Sequence, residues 1–323
     1  MSAIPGGLDT QNQPPMAVPL RHFLVGLGFL VAGMTAGIVA VSGNLTDTLA
    51  HVHLLLAGWV CITIMGAMTQ FVPVWSGTEL HSRRLSSVQL VLVAFGVAGF
   101  AASLFADSFV LLPVFGTLML AGFWVFVYNI SRTLPPLGEL DVTERHFALA
   151  LAFFVLLSVL GLVLAVDITY PVLPDGVTHQ SVLRAHATLA VFGAVLTTVL
   201  GALYQLVTMF TQTELRGYEI YVQRFEEAAY PAGVVLLATG RLVRLSPLTK
   251  PGAVLISLSL LGFGVVLLRK LYETKVERTP MLSRYAVVGI SMIAWSVLAP
   301  VNVFSSPTLT TFPTDVPTSC SSG

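Results

Sequence analysis

Long apolar runs separated by short polar loops govern what this chain can become. The segment ALALAFFVLLSVLGLVLAV, residues 148–166, carries no charge, and comparable runs recur through most of the sequence. A bilayer core about 30 Å thick is crossed by roughly 20 residues rising 1.5 Å each. Lipid offers backbone amides and carbonyls no partner, so each such run is expected to be a helix. Spans are expected near 22–43, 48–74, 86–105, 109–131, 146–166, 184–210, 228–245, 251–271 and 284–304, with the seventh short and interrupted by Pro231 and Arg241. The fold class is therefore all-α, a polytopic transmembrane bundle of about nine helices.

Composition agrees, since only 10% of the 323 residues are charged, against about 25% in soluble domains. The net charge of zero leaves no basic excess to neutralise phosphates and argues against nucleic acid as a partner. Cys61 and Cys320 are far apart and suggest neither a disulfide framework nor a thiolate metal site. Residues 1–20, rich in Pro and Gly, lack the features of a signal peptide and read as a disordered leader. Alternating the loops puts twelve basic residues, among them Arg21, Arg83, Arg84 and Arg145, on one side and only Arg184, Arg241, Arg244 and Lys250 on the other. The positive-inside rule then places the chain in the cytoplasmic membrane with its N-terminus in the cytoplasm.

The chain also repeats itself. AHVHLLLAGWVCITIMGAMTQFVPVWSGTEL (50–80) aligns with AHATLAVFGAVLTTVLGALYQLVTMFTQTEL (185–215) at an offset of 135, with thirteen of 31 positions identical. Shared apolar composition does not explain His51 with His186, Gly58 with Gly193, Gly66 with Gly201, Gln70 with Gln205 and a common Thr-Glu-Leu exit. RHFLVGLGFLVAGMTAGIVAV (21–41) matches RHFALALAFFVLLSVLGLVLA (145–165) at offset 124, the difference falling in the loop around Pro171 to Asp175. The unit is thus four helices, 21–140 and 141–280, and its even number makes the copies parallel repeats about an axis along the membrane normal. A fainter third start at Arg284 and Tyr285 opens residues 281–305, after which a polar tail, 306–323, appears where the next histidine would be expected. A third unit missing three helices, by loss, frameshift or truncation, is the expectation.

His51 follows the capping candidates Thr46 and Asp47 by about a turn, and Gly58 and Met65 continue its face at seven-residue steps. A neutral imidazole above a glycine-lined face could ligate an iron porphyrin, since glycine lets a flat ring approach the backbone. Equally, His51 and His186 could be interfacial histidines hydrogen-bonded nearby, with Gly58, Gly66 and Gly193 serving close helix packing. His53 is a further metal candidate, but it lies about 200° around the helix from His51, so one flat cofactor cannot take both from the same face. It is expected to meet a neighbouring helix or the outer surface. His22 and His146, beside Arg21 and Arg145, read as interface anchors. Gln70 and Gln205 fit interhelical hydrogen bonds. Arg241 and Arg244, three apart, are expected on one helical face, where they could pair with cofactor carboxylates or snorkel to headgroups. Glu226, Glu227 and Tyr230 read as a solvated helix start.

HVHLLLAGWVCITIMGAM, with its echo in the sixth span, resembles subunit I of the haem-copper oxidase superfamily, which includes cytochrome oxidases and nitric-oxide reductases. That resemblance implies arcs of four helices and an oxidoreductase ancestry, with haem as cofactor. It matches His51 to the second-helix ligand of a low-spin haem and His186 to the sixth-helix copper ligand. The seventh span, AAYPAGVVLLATGRLV, has no histidine pair, so copper is not expected and catalysis within this chain is left open. The implied partners are the bilayer, another membrane subunit or an outer-side electron-transfer protein. The resemblance implies a role in electron transfer or binding of a small diatomic gas; the competing readings are a cofactor-free transporter or structural subunit, and an inactive truncated homologue.

Overall fold

A computed structural model describes residues 13–41, 45–277 and 279–305. The leader's first twelve residues and the tail 306–323 lie outside the described residues. Among the described residues the chain forms nine helical rods and no strand. They are α1 (Ala17–Ala40), α2 (Leu45–Ser76), α3 (Arg83–Phe105), α4 (Leu112–Ser131), α5 (Val142–Asp167), α6 (His179–Thr211), α7 (Tyr218–Leu242), α8 (Ser246–Tyr272) and α9 (Pro280–Ser305). Eight are long and apolar enough to cross a membrane; α7 is the exception. Its 25 residues include Glu219, Arg224, Glu226, Glu227 and Arg241, so its hydropathy is diluted by charges, of which the bundle buries Glu219 and Glu226. The protein is thus an integral membrane protein, and its outer surface is apolar: Val31 and Ile38 on α1 are 67% and 77% exposed, which lipid tolerates. Below, the near face is the end of the bundle where α1 begins and the far face the end where α1 finishes.

Helix boundaries follow local chemistry. At the start of α5, Asp141 Oδ1 accepts from the Glu144 amide at 2.8 Å while Glu144 Oε2 accepts from the Asp141 amide at 2.9 Å, pairing two otherwise orphaned donors. Thr178 and Ser181 do the same for α6. The helix α1 begins at Ala17, five residues before the expected span, because Ala17 to Leu20 extend it without any charge. At the near-face end of α2, Gly77 turns left-handed at φ 63° and the Thr78 amide donates back to Pro73 O. Gln212 and Thr213 repeat that exit after α6, with φ 51° and a bond to Thr208 O.

The repeat is written in contacts as well as letters. A Cβ on Gly58 would lie 2.6 Å from Phe29 Cγ, and one on Gly193 would lie 2.9 Å from Phe153 Cγ; Phe153 is the α5 counterpart of Phe29. Gly66 meets His22 Cβ and Gly201 meets His146 Cβ, each at 2.6 Å from the missing carbon. The third and fourth helices follow suit: Gly96 of α3 faces the backbone of Phe115 and Met119, and Gly233 of α7 faces that of Gly252 and Ile256. Each unit therefore packs its first helix into its second, and its third into its fourth, through one set of glycine seats. The core continues between the units, where Phe123 and Phe126 of α4 pack their rings on Phe154 of α5 at 5.5 Å.

One feature of both units has no signature in the letters. The second helix of each widens into a π-helix, Leu54–Cys61 in α2 and Leu189–Leu196 in α6. Such wide turns leave carbonyls without the usual partner. In α6 the Phe192 carbonyl accepts from Thr197 Oγ1 at 3.1 Å and from the Tyr230 hydroxyl of α7 at 2.6 Å.

Candidate functional site

Both repeat histidines sit just before the wide turns, and each is anchored to the first helix of its own unit. His51 Nδ1 is 2.7 Å from Gly33 O, and His186 Nδ1 is 2.9 Å from Leu157 O; Leu157 is the counterpart of Gly33. A carbonyl oxygen only accepts, so Nδ1 carries the proton in both and Nε2 keeps a lone pair. Each ring also rests on a glycine. A Cβ on Gly37 would be 2.8 Å from His51 Cε1, and one on Gly161 2.9 Å from His186 Cε1.

The glycine seven residues below each histidine is covered. The Phe29 and Phe153 rings occupy the space over Gly58 and Gly193, so a macrocycle cannot lie against the backbone there. A flat ring does sit on each glycine, but it is supplied by the same unit.

His53 leaves α2 on a different side from His51. Its Nδ1 donates to Leu49 O at 2.8 Å and its ring meets Phe100 of α3 at 4.8 Å between centroids. There it lines a cavity of about 160 Å³ between the two units, and His186 lines the same cavity. Leu49, Met119 and Ser158 are among the other walls, so α2, α4, α5 and α6 all contribute. Cys61 reaches the cavity as a buried free thiol; Cys320 lies outside the described residues. The site is thus an apolar chamber with two imidazoles, one from each unit. Both rings have their Nδ1 protons committed to carbonyls, the arrangement that fixes tautomer and aim in metal-ligating histidines. Among the described residues no group of three His, Cys, Asp or Glu side chains could hold a metal ion.

The two arginines expected on one face of the seventh helix do not stay together. Because α7 stops at Leu242, Arg244 leaves the helical register in a left-handed conformation, φ 57°, and is exposed. Arg241 turns inward instead and donates to Thr188 Oγ1 of α6 at 2.7 Å. Thr188 is the α6 counterpart of His53, so the second unit uses for holding α7 the position that the first uses at the cavity.

The near-face histidines differ most from expectation. Rather than anchoring at the interface, His22 and His146 are 1% and 4% exposed, because Gly66 and Gly201 let them sink between helices. His22 Nε2 lies 3.4 Å from Gln89 Nε2, and His146 Nε2 lies 3.2 Å from both carboxylate oxygens of Glu226. Glu226 is fully buried, whereas its neighbour Glu227 reaches outward to Arg145 at 2.6 Å. A glutamate near a helix start carries no mark of which way it will face, so this buried cluster escapes sequence reasoning.

No family model matches the chain, and no curated protein or solved structure matches it either.

Proposed function

We propose that this chain is a relative of subunit I of the haem-copper oxidase superfamily, set in the cytoplasmic membrane with its N-terminus inside, and that it holds a metal centre in the cavity between its two units. The observation that carries this is the pair His53 and His186: one imidazole from each unit, each with Nδ1 tied to a carbonyl, each lining one apolar chamber. Two neutral imidazoles suit a borderline metal or the iron of a haem. Such a centre would supply one-electron redox chemistry or a binding site for a small diatomic gas.

The chain's own residues do the rest. Leu49 and Leu157 carbonyls hold the two rings in the tautomer that offers Nε2, and the apolar walls exclude water from the chamber. Haem over Gly58 and Gly193 does not fit, because Phe29 and Phe153 fill that space. A chamber of about 160 Å³ is also smaller than the roughly 300 Å³ of an ordinary ligand pocket, so it favours a compact metal centre over a macrocycle. His51 and Gly58 act here in packing. Arg241, held by Thr188, steadies α7 beside the chamber.

Metal analysis and the visible spectrum of the purified protein, as isolated and after incubation with ferrous iron or with hemin, test the reading. Bound metal without a Soret band is expected in the wild type and in His51→Ala, and its loss in His53→Ala and His186→Ala. A metal-free, colourless wild type after both incubations, or full retention in the doubly substituted protein, removes it.

A further inference from the structure

Three ionisable side chains meet where the near-face halves of α5, α6 and α7 converge. Glu226 is fully buried, and His146 and Tyr204 are 4% and 5% exposed. The Tyr204 hydroxyl donates to Glu226 Oε2 at 3.0 Å, and His146 Nε2 is 3.2 Å from both Glu226 oxygens. His146 Nδ1 is already spent on Val142 O at 2.7 Å. The contact between Nε2 and the carboxylate therefore contains one proton, sitting on the imidazole as an ion pair or on the carboxyl as a neutral pair.

The first unit provides the comparison. Its equivalent of Glu226 is Gln89, its equivalent of His146 is His22, and its equivalent of Tyr204 is Thr69. The amide of Gln89 donates to His22 Nε2 at 3.4 Å, and an amide does not ionise near neutral pH. Beside the same histidine, the first unit has an amide and a threonine where the second has a carboxyl and a phenol. Burying a carboxyl at membrane depth is costly, and such groups mark proton or ion pathways.

Water has an approach. A cavity of about 510 Å³ opens beside the triad; Tyr204, Gln205, Thr208, Gln212, Glu214 and Lys275 are among its polar walls, and apolar atoms supply the larger part of its surface. Tyr204 thus has its side chain at the cavity and its hydroxyl on Glu226. From α8, Phe263 packs edge-on against the Tyr204 ring at 4.8 Å. Glu227 is engaged by Arg145, and the fully buried Tyr230, one turn beyond Glu226, gives its proton to Phe192 O.

We infer that Glu226, His146 and Tyr204 form a proton-binding site, loaded from the near-face cavity through the Tyr204 hydroxyl. In loading, which starts from the ion pair with Glu226 ionised, a hydronium ion in the cavity gives a proton to the Tyr204 oxygen while the phenol's own proton passes to Glu226 Oε2. Water is left behind, the phenol is regenerated, and the pair goes from one shared proton to two and from neutral to singly positive. Release reverses each transfer. The site is independent of the metal reading, and neither needs the other.

Infrared difference spectra of the full-length protein in liposomes, with pH stepped between about 5 and 9, test this. The wild type should develop a protonated-carboxyl stretch as pH falls, and Glu226→Gln should lose it. That variant recreates the Gln89 and His22 pairing, so its helicity and melting temperature should stay near wild type. Tyr204→Phe should keep the band but slow its shift on transfer to heavy water by tenfold or more, a readout that a purely structural tyrosine would not move. Should Glu226→Gln fail to fold, Glu226→Asp is read instead, and a displaced band is expected. A wild type without a pH-dependent carboxyl band, or a band left unchanged by either Glu226 substitution, overturns the inference.

Discussion

Lys270 and Glu219 are both fully buried and lie 2.8 Å apart, joining the end of α8 to the start of α7 on the near face. Lys270 Nζ also donates to Glu214 O at 3.0 Å and to Glu273 Oε2 at 2.7 Å, which satisfies all three ammonium protons. Arg269 Nε stands 3.1 Å from the other Glu219 oxygen. Removing Lys270 strips the buried Glu219 of its fully buried counter-ion and leaves it only the half-exposed Arg269. Lys270→Met is expected to cost about 3 kcal/mol, read as lowered thermal stability in detergent. The double variant with Glu219→Gln should recover part of that loss. Unchanged melting in Lys270→Met would show that the pair is solvated.

The glycine seats predict overpacking. Gly58→Ala drives a methyl to 2.6 Å from Phe29 Cγ, an atom too near its own backbone to swing away. The cost should be about 1–3 kcal/mol, with Gly193→Ala against Phe153 at or below that, since its missing carbon is slightly farther away. Combining Gly58→Ala with Phe29→Ala should cost less than the separate losses added together. Strict additivity in a double-mutant cycle of chemical unfolding would count against the contact.

Gly161 tests the chamber without touching a ligand atom. A methyl there would sit 2.9 Å from His186 Cε1 and push the imidazole off its aim. If His186 is a ligand, Gly161→Ala should weaken metal binding by roughly 10-fold to 100-fold, the scale of a disturbed supporting contact. Gly37→Ala makes the same disturbance at His51 and should leave metal binding unchanged. Equal effects of the two substitutions in a metal titration would remove His186 from the site.

Glu273 sets an acid limit. The Lys270 ammonium, and then the Arg269 guanidinium, hold its carboxyl down at about 2, from an ordinary 4.5. A group whose value is depressed by folding favours the folded state above its unfolded value, and that advantage fades as pH falls towards the folded one. Melting temperature should therefore drop between about pH 4.5 and pH 2, and Glu273→Gln should flatten the slope in that window. A slope identical in both proteins would assign acid sensitivity elsewhere.

Much of the architecture was legible. Long apolar runs announce spans because lipid permits no other way to satisfy the backbone, and the repeat was readable because His, Gly and Gln at fixed offsets are not what an apolar filler would supply. The glycines also declared close packing, but Phe29 and Phe153 could not be named as their partners, since which rings meet them depends on how two helices cross. His53 looked like the less useful histidine when only its own helix was considered. The chamber that it lines is completed by α4, α5 and α6, far away in sequence. The wide turns have no composition of their own, and Arg244 was misplaced because three-residue spacing has meaning only while a helix lasts.

The duplicated wide turns make each second helix a jointed shaft. A π stretch holds one residue more than an α-helix would at the same height, so deleting a single residue between Leu189 and Leu196 could be absorbed by a return to ordinary winding, with the two ends of α6 left nearly in phase. The same deletion in the plain winding of Thr197–Thr211 would turn His186 and the Tyr204 end by about 100° against each other, and the chamber and the near-face carboxyl could no longer both be addressed by one rod. The joint of α6 is thus the one place among its described turns where a residue can be lost without turning one end against the other.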